Sequence, residues 1–277
     1  MTAITQSTDN KFIPMTSFSS GNDGMISHDV YYYTNQIVNV IMIGSRGKPW
    51  ILVDTGMPTC GAEILKVAQE RFGDRKPEYI LLTHGHFDHV GGIVHLLQHW
   101  DVPVYAHPKE FPYLNGTIAY PEPDASVEGG MLAKIAFIYP NQPINIAPFL
   151  KELPMDHKLP GFPDWEWFAT PGHSPGHISI FRSSDRVLIS GDAVVTVRQD
   201  SFYKVLFQIE EVNGPPRYLT TDWNAARESV RTLAKLEPEV LLSGHGGVMK
   251  GKKMRKELAD LAHRFDEKAL PKHGKYI

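Results

Sequence analysis

The first half of the chain alternates short apolar runs with stretches in which apolar side chains recur at helical spacing. The runs that predict strands cover residues 30–34, 37–43, 50–53, 79–82 and 102–106. Helical spacing covers residues 64–72, which stop at Gly73, and a second stretch over about residues 89–100. A chain in which strands and helices follow one another in this way predicts an α/β fold.

This pattern breaks over about residues 108–164, a segment with nine prolines between Pro112 and Pro163. Beyond it, further strands are predicted at residues 165–169, 178–181, 187–189 and 240–242. A helix is expected over residues 223–236, capped by Asp222 or Thr221. An amphipathic C-terminal helix is expected over about residues 250–268. The second half therefore predicts another sheet with helices.

We interpret residues 108–164 as an insertion near the active site, because the segment is too long to be a simple connection. Long loops on a rigid frame commonly carry recognition, so this segment is expected to choose the substrate. Its aromatic side chains either line an apolar pocket or form a small core of the insertion itself: Tyr113, Tyr120, Phe137 and Phe149.

The length of 277 residues suits one large domain as well as two. We predict a single domain over residues 1–277 that contains the insertion. Hydrophobic residues make up 42% of the chain and charged residues 21%, which is typical of a globular protein with a sizeable core. Disordered and fibrous proteins are excluded.

The net charge of -3 offers no basic surface for nucleic acid or an anionic membrane. The first twenty residues lack the basic and then apolar pattern of a signal peptide, and the longest apolar run is far too short to span a membrane. The single cysteine, Cys60, excludes an intramolecular disulfide. We therefore expect a cytoplasmic protein with a small-molecule partner and neither a nucleic acid nor a membrane partner. A homodimer stays open.

The densest chemistry lies directly after the predicted strand at residues 79–82. His84, His86, Asp88 and His89 place three imidazoles and a carboxylate within six residues. A loop leaving a strand can point these side chains to two sides, so that one segment begins two adjacent metal sites. Further residues of ligand type, each preceded by glycine, follow later predicted strands: His173, Asp192 and His245.

Asp54 ends the predicted strand at residues 50–53, where it is expected to hydrogen-bond a ligand histidine. A plain turn aspartate is the alternative. The isolated histidines are interpreted as surface or core residues rather than ligands: His28, His95, His99, His107, His157, His263 and His273.

Five motifs together resemble the metallo-β-lactamase superfamily of metal-dependent hydrolases. They are His-x-His-x-Asp-His at residues 84–89, Val-Asp-Thr-Gly at 53–56, Thr-Pro-Gly-His-Ser-Pro-Gly-His at 170–177, Ser-Gly-Asp at 190–192 and Ser-Gly-His-Gly at 243–246. They occur in the order of that family and span about residues 30–250. The resemblance implies a four-layer αββα sandwich with metals at the sheet edge.

The resemblance also implies a ligand set. His84, His86 and His173 would hold one ion, Asp88, His89 and His245 the other, and Asp192 would bridge them. Two divalent ions are expected, zinc first, with iron or manganese as alternatives. Such a pair holds a bridging hydroxide at neutral pH that attacks an ester, lactone or thioester bond. The catalytic residues would be Asp88, which orients the water, and Asp192, which balances the charge between the ions.

Two resemblances within the superfamily point to different substrates. Residues 170–177 resemble the thioester-hydrolysing glyoxalase II branch, whereas residues 86–89 resemble acyl-homoserine lactonases. Lactonases of this fold resemble one another in carrying a tyrosine three residues after the bridging aspartate, where this chain has Val195. A general ester or lactone hydrolase is therefore expected. Tyr203 and Tyr218 are the nearest candidates for a replacement hydroxyl, with packing as the favoured interpretation of both. Acyl-homoserine lactone hydrolysis is the first alternative.

Other activities of the superfamily are further alternatives. A phosphodiesterase or nuclease needs a basic stripe, but the basic run at residues 250–256 lies on the predicted terminal helix. A mononuclear iron dioxygenase usually loses the second ligand set, which is intact here. Hydrolysis of β-lactams is not expected, because true β-lactamases of this fold commonly replace one ligand by cysteine or lack the bridging aspartate. Cys60 is expected to lie far from every motif.

Overall fold

The computed structural model describes residues 4–13, 15–127, 134 and 136–277. The chain divides into two compact units, Met1–Tyr120 with Pro140–Glu152, and Pro121–Tyr139 with Leu153–Ile277. Each unit contains one sheet and its helices, so the predicted α/β character is confirmed in both. That the whole chain forms one domain stays a prediction.

A seven-stranded sheet is the frame of the first unit, with its strands in chain order. The strands are β1 (Asp23–Met25), β2 (Val30–Asn35), β3 (Val38–Gly44), β4 (Trp50–Val53), β5 (Ile80–Leu81), β6 (Val104–Ala106) and β7 (Leu150–Glu152). Pairing is antiparallel from β1 to β4 and parallel from β4 to β7. The helices are α1 (Gly61–Phe72), α2 (Ile93–Trp100) and α3 (Phe111–Leu114), with short 3₁₀ helices at Pro108–Glu110 and Ala147–Phe149.

The core of the first unit forms where α1 and α2 cover this sheet. Trp50 at the start of β4 stacks on Phe72 of α1 with ring centroids 4.1 Å apart, and its edge contacts Trp100 of α2 at 5.7 Å. Such aromatic pairs add directional contact to the burial of a large apolar area. In the parallel part of the sheet Val53 pairs with Leu81, so β4 and β5 end side by side. Their following loops therefore start from the same edge.

A six-stranded sheet is the frame of the second unit, in the order β13-β12-β11-β10-β9-β8. The strands are β8 (Lys158–Leu159), β9 (Phe162–Ala169), β10 (Ile178–Arg182), β11 (Val187–Ile189), β12 (Val240–Leu242) and β13 (Met249–Lys250). The helices are α4 (Phe202–Phe207), α5 (Trp223–Lys235), α6 (Gly251–His263) and α7 (Phe265–Lys268), with a 3₁₀ helix at Ala136–Ile138. β11 and β12 are parallel and pair Ile189 with Leu242, so these two strands also end together.

Several predicted boundaries were wrong. The helix predicted from residue 89 begins at Ile93, because residues 90–92 form a close turn in which a Cβ on Gly91 would meet the Met57 carbonyl carbon at 2.2 Å. The predicted C-terminal helix breaks at Arg264 into α6 and α7. The strands β7 and β8 and the short helix α4 were not predicted, because two- or three-residue strands and a six-residue helix carry too little periodicity.

The predicted insertion at residues 108–164 contributes to both units. It holds α3 and β7 in the first and β8 with the start of β9 in the second. Residues 128–133 and 135, and the side chain of Phe137, lie outside the described part of the chain. None of the helices described here is long and apolar enough to cross a membrane.

The residues just before helix α5 are hydrogen-bonded to the Thr-Pro-Gly-His motif at residues 170–173. The Gly172 carbonyl accepts hydrogen bonds from the Thr221 and Asp222 amides, both at 3.1 Å. Of the two predicted caps, Asp222 occupies the position, and its carboxylate accepts from the Ala225 amide at 2.9 Å. The cap therefore holds the helix start against the loop that carries His173.

Replacing Asp222 by alanine tests this cap. Asp222→Ala leaves helix amides without an acceptor and is expected to lower the free energy of unfolding by about 1 kcal/mol. Asp222→Asn retains an oxygen that caps and should stay close to the parent protein. Urea unfolding measures both variants, and an alanine variant as stable as the parent would contradict the capping role.

Candidate metal centre

Four predicted ligands lie in the loop after β5. We call His84, His86, Asp88 and His89 the first donor set; all four are buried. The His84 ring lies 4.7 Å from the His86 ring and 4.1 Å from the His89 ring, between centroids. Within the set, ligand atoms of His84 and His86 lie within 4.8 Å of each other, and so do those of Asp88 and His89. The loop thus brings the ligand atom of His84 close to that of His86, and the ligand atom of Asp88 close to that of His89.

Asp54 holds one side of the first donor set. Its Oδ2 accepts from His89 Nδ1 at 2.8 Å and from the Thr83 hydroxyl at 2.7 Å, and its Oδ1 accepts from the Thr83 amide at 2.8 Å. Because Nδ1 of His89 donates to this carboxylate, the lone pair of that ring lies on Nε2. The expected hydrogen bond between Asp54 and a candidate ligand is present.

Thr83 sets the tautomer of His84 in the same way. Its hydroxyl hydrogen goes to Asp54, so the hydroxyl oxygen is an acceptor for Nδ1 of His84 at 3.0 Å. The lone pair of His84 then also lies on Nε2. One buried aspartate therefore orients two imidazoles, one directly and one through a threonine.

The remaining predicted ligands converge in the second unit. His173, Asp192 and His245, the second donor set, are buried and follow β9, β11 and β12. Asp192 Oδ2 lies 3.5 Å from His173 Nε2 and 3.2 Å from His245 Nε2. Since β11 and β12 run parallel and end together, Asp192 and His245 meet at the edge of this sheet.

Hydroxyl groups orient this set as well. The Thr220 hydroxyl donates to the Pro216 carbonyl at 2.8 Å, so its oxygen accepts from His173 Nδ1 at 3.3 Å. This leaves the lone pair of His173 on Nε2, the atom that faces Asp192.

His177 is a functional residue that sequence reasoning missed. Its Nε2 accepts from the Asp192 backbone amide at 2.9 Å, and its Nδ1 donates to the Thr170 hydroxyl at 2.8 Å. The chain of hydroxyls continues from Thr170 to Ser179, which donates to the Ser190 carbonyl at 2.9 Å. The bond at Nε2 thus holds the Asp192 backbone, and the bond at Nδ1 fixes the orientation of the His177 ring. The glycine before His177, shared with the ligand motifs, was the available signal.

The two donor sets fit divalent metal ions. Imidazole nitrogens and carboxylate oxygens are the ligands that zinc, iron and manganese accept. In three of the rings a hydrogen bond at Nδ1 directs the lone pair to Nε2, so that Nε2 is the atom that can bind a metal: His84, His89 and His173. A candidate His/Asp metal site is therefore present in the fold.

Cys60 lies closer to this chemistry than we expected. Its thiol donates to the Thr55 carbonyl at 3.1 Å, next to Asp54, so the expectation that it lies far from every motif was wrong. Burial raises the pKa of the Cys60 thiol well above its usual range. Within the described part of the chain Cys60 is not a member of any cluster of ligand-type residues. A neutral buried thiol is an inert packing residue.

Comparisons with known proteins agree with this chemistry. A family model described as the metallo-beta-lactamase superfamily matches residues 33–245. The chain is similar to the probable metallo-hydrolase YflN of Bacillus subtilis (strain 168), with 45% identity over 92% of this chain and 97% of that protein. It is also similar to the hydroxyacylglutathione hydrolase GloC of Haemophilus influenzae, with 29% identity over 62% of this chain and 70% of that protein.

A solved structure gives a comparison at the level of the fold. The structure of TTHA1623 in a di-iron-bound form matches 77% of this chain and 89% of its own with a TM-score of 0.50 and 25% identity. The two sheets with helices described above are thus an arrangement already seen in a protein that holds metal.

Replacing Asp54 by asparagine tests the support it gives to the first donor set. Asp54→Asn keeps the size of the side chain but removes the charge, and its amide nitrogen cannot accept from His89. Metal affinity, measured by competition with a chromophoric chelator, is expected to fall about 10–100-fold. The exposed Asp74 provides a matched control, Asp74→Asn, with unchanged affinity. An unaltered affinity in Asp54→Asn would contradict the assignment.

Proposed function

The chain belongs to the metallo-beta-lactamase superfamily of metal-dependent hydrolases, and from this premise we propose that it cleaves an ester, lactone or thioester bond of a small molecule with two divalent metal ions. The superfamily, the mixed α/β fold class and the assignment as a metal-dependent hydrolase are confirmed predictions. The number of ions, their identity and the bond cleaved are part of the proposal, with zinc as the first metal to test.

The position of Asp192 carries the proposal of two ions. One carboxylate oxygen lies within 3.5 Å of Nε2 of both His173 and His245. The resemblance assigns these two imidazoles to different ions, so a carboxylate between them suits a bridging ligand. The proposed ligands are those that the motifs imply: His84, His86 and His173 for one ion, Asp88, His89 and His245 for the other, and Asp192 for both.

When bound, the ions supply Lewis-acid stabilisation of a carbonyl oxygen and activate a water as the nucleophile. The chain supplies position and protonation. Asp88, buried beside His89, is assigned to orient the attacking water and to pass on its proton. Asp54 and His177 keep ligand groups at fixed orientations through the hydrogen bonds described above, so that little reorganisation is needed during reaction.

Thioesters and small esters or lactones are the proposed substrates. Thioester cleavage is supported by the similarity to a protein named hydroxyacylglutathione hydrolase. The lactonase alternative is weakened at Val195, because a valine has no hydroxyl to offer a substrate. This side chain is 1% exposed, and its backbone pairs with that of Asn213. Of the two tyrosines considered as replacements, Tyr203 is 61% exposed on α4, whereas Tyr218 is buried with its ring 5.7 Å from that of Tyr139.

A nuclease has less support. The basic run at residues 250–256 lies mainly on α6, where Arg255 pairs with Glu239 and Lys253 lies 3.8 Å from Glu257. Charges paired in this way offer a weak surface for a phosphodiester backbone.

Metal content tests the two-ion proposal. The parent protein is expected to hold two ions per chain by elemental analysis. His86→Ala should lose the ion assigned to His84, His86 and His173, and His89→Ala the ion assigned to Asp88, His89 and His245. Each variant should lower hydrolysis by orders of magnitude while the fold survives.

The exposed His99 gives a control, His99→Ala, that keeps both ions. A parent protein with one iron would favour the dioxygenase alternative, and one with no metal would contradict the proposal. So would a His86→Ala or His89→Ala variant that keeps both ions and full activity.

A substrate panel of esters, thioesters, lactones, phosphodiesters and β-lactams tests the bond that is cleaved. Activity is expected on the carbonyl substrates, with little on phosphodiesters or β-lactams. For a long-chain acyl-homoserine lactone we expect kcat/KM well below about 10⁶ M⁻¹s⁻¹, which lies high in the usual enzyme range. Tyr203→Phe should cause no large loss. A kcat/KM of about 10⁶ M⁻¹s⁻¹ for that lactone would contradict this expectation and show that valine at position 195 does not impair lactone hydrolysis.

A further inference from the structure

Gly85 lies between two ligands of the first donor set and is tied to a second buried carboxylate. Its amide donates to Glu110 Oε2 at 3.0 Å and to the Tyr120 hydroxyl at 2.9 Å. The Tyr120 hydroxyl in turn donates to Glu110 Oε2. These three groups form a closed triangle of hydrogen bonds at the residue that separates His84 from His86 in the chain.

The triangle is buried in the first unit. Glu110, at the end of the 3₁₀ helix Pro108–Glu110, is 0% exposed, and Tyr120 is 8% exposed. Burying a carboxylate carries a large desolvation penalty, whereas each hydrogen bond adds only a modest net stabilisation. The hydrogen bonds alone therefore do not explain a carboxylate at this position. The Glu110 carboxylate accepts from the peptide that joins two candidate imidazole ligands, where a negative charge becomes favourable when those ligands hold a cation.

Tyr120 also contacts a ligand directly. Its ring lies 4.3 Å from the His86 ring and stacks on the Tyr113 ring at 3.9 Å with an angle of 9°. The Tyr113 ring therefore fixes the Tyr120 ring, which limits the orientations open to His86.

The space around Gly85 is tight. A Cβ on Gly85 would lie 2.7 Å from the Tyr120 hydroxyl oxygen and 3.0 Å from Leu114 Cδ2. A larger residue at this position would therefore displace the Tyr120 hydroxyl, the Leu114 side chain or both.

We propose that Glu110 and Tyr120 are positioning residues of the metal centre, which hold the Gly85 peptide and the His86 ring in the orientation that binds a cation. This inference rests on the proposed metal centre and adds to it a task for the predicted insertion at residues 108–164. The start of that segment supports the ligands, whatever the rest of it contributes to substrate choice.

Conservative variants test the inference with readouts that a purely structural role would not move. Tyr120→Phe keeps the ring against His86 but removes the hydroxyl, and Glu110→Gln keeps the shape but removes the charge. Each is expected to weaken the binding of one ion about 10-fold or more, by chelator competition, and to change the visible spectrum of the cobalt-substituted protein. Tyr276→Phe and Glu70→Gln make the same chemical changes at surface positions outside this triangle, so they should match the parent protein in both measurements.

The double variant adds a second line of evidence. Because both residues act through one hydrogen-bonded triangle, Glu110→Gln with Tyr120→Phe should weaken binding by less than the product of the single effects. If the parent protein binds two ions and the single variants bind them with unchanged affinity and spectrum, the positioning role is wrong while the proposed function stands. If the parent binds no ion, both proposals fail.

Discussion

The first donor set depends on the hydrogen bonds that the Asp54 carboxylate accepts from Thr83 and His89. Asp54 ends β4 with a left-handed backbone, φ +58°, and accepts three hydrogen bonds from the next loop of the same sheet. A buried charge requires such partners, and an aspartate tolerates this backbone conformation better than most residues. The packing of α1 and α2 on the sheet keeps β4 and β5 together, so the aspartate and its donors meet without further adjustment. One turn thereby fixes the orientation of two imidazoles.

Small hydroxyl side chains repeat this device in the second unit. Thr220 and Thr170 play for His173 and His177 the part that Thr83 plays for His84. A threonine whose hydrogen is already given to another acceptor can only accept from the imidazole, which selects one tautomer. The outcome differs between the rings: His173 presents Nε2 to Asp192, whereas His177 uses Nε2 to hold the Asp192 amide. Two histidines of one motif thus have different tasks.

The segment after β6 has a broader role than a loop that recognises substrate. Tyr113 and Tyr120, for which a pocket wall and a small core were both open, stack on each other, and Tyr120 lies against His86. Packing and ligand support are therefore combined in the same side chains. Glu110 had no distinguishing feature in the sequence, because a single glutamate two residues after a proline is typical of an exposed helix start. Its burial follows from the tertiary fold alone.

The sequence by itself determined the superfamily, the α/β alternation and the identity of the candidate ligands, because these depend on short motifs and on apolar periodicity. Strands such as β4 and β11 are continuous apolar runs, and α1 ends at its glycine as predicted. The start of α2, the break at Arg264 and the strands β7 and β8 were decided by tertiary contacts that leave no local pattern. The same holds for the tautomers of the histidines and for His177, Glu110 and Tyr120, since each depends on a partner distant in the chain or on a ring orientation that only packing fixes.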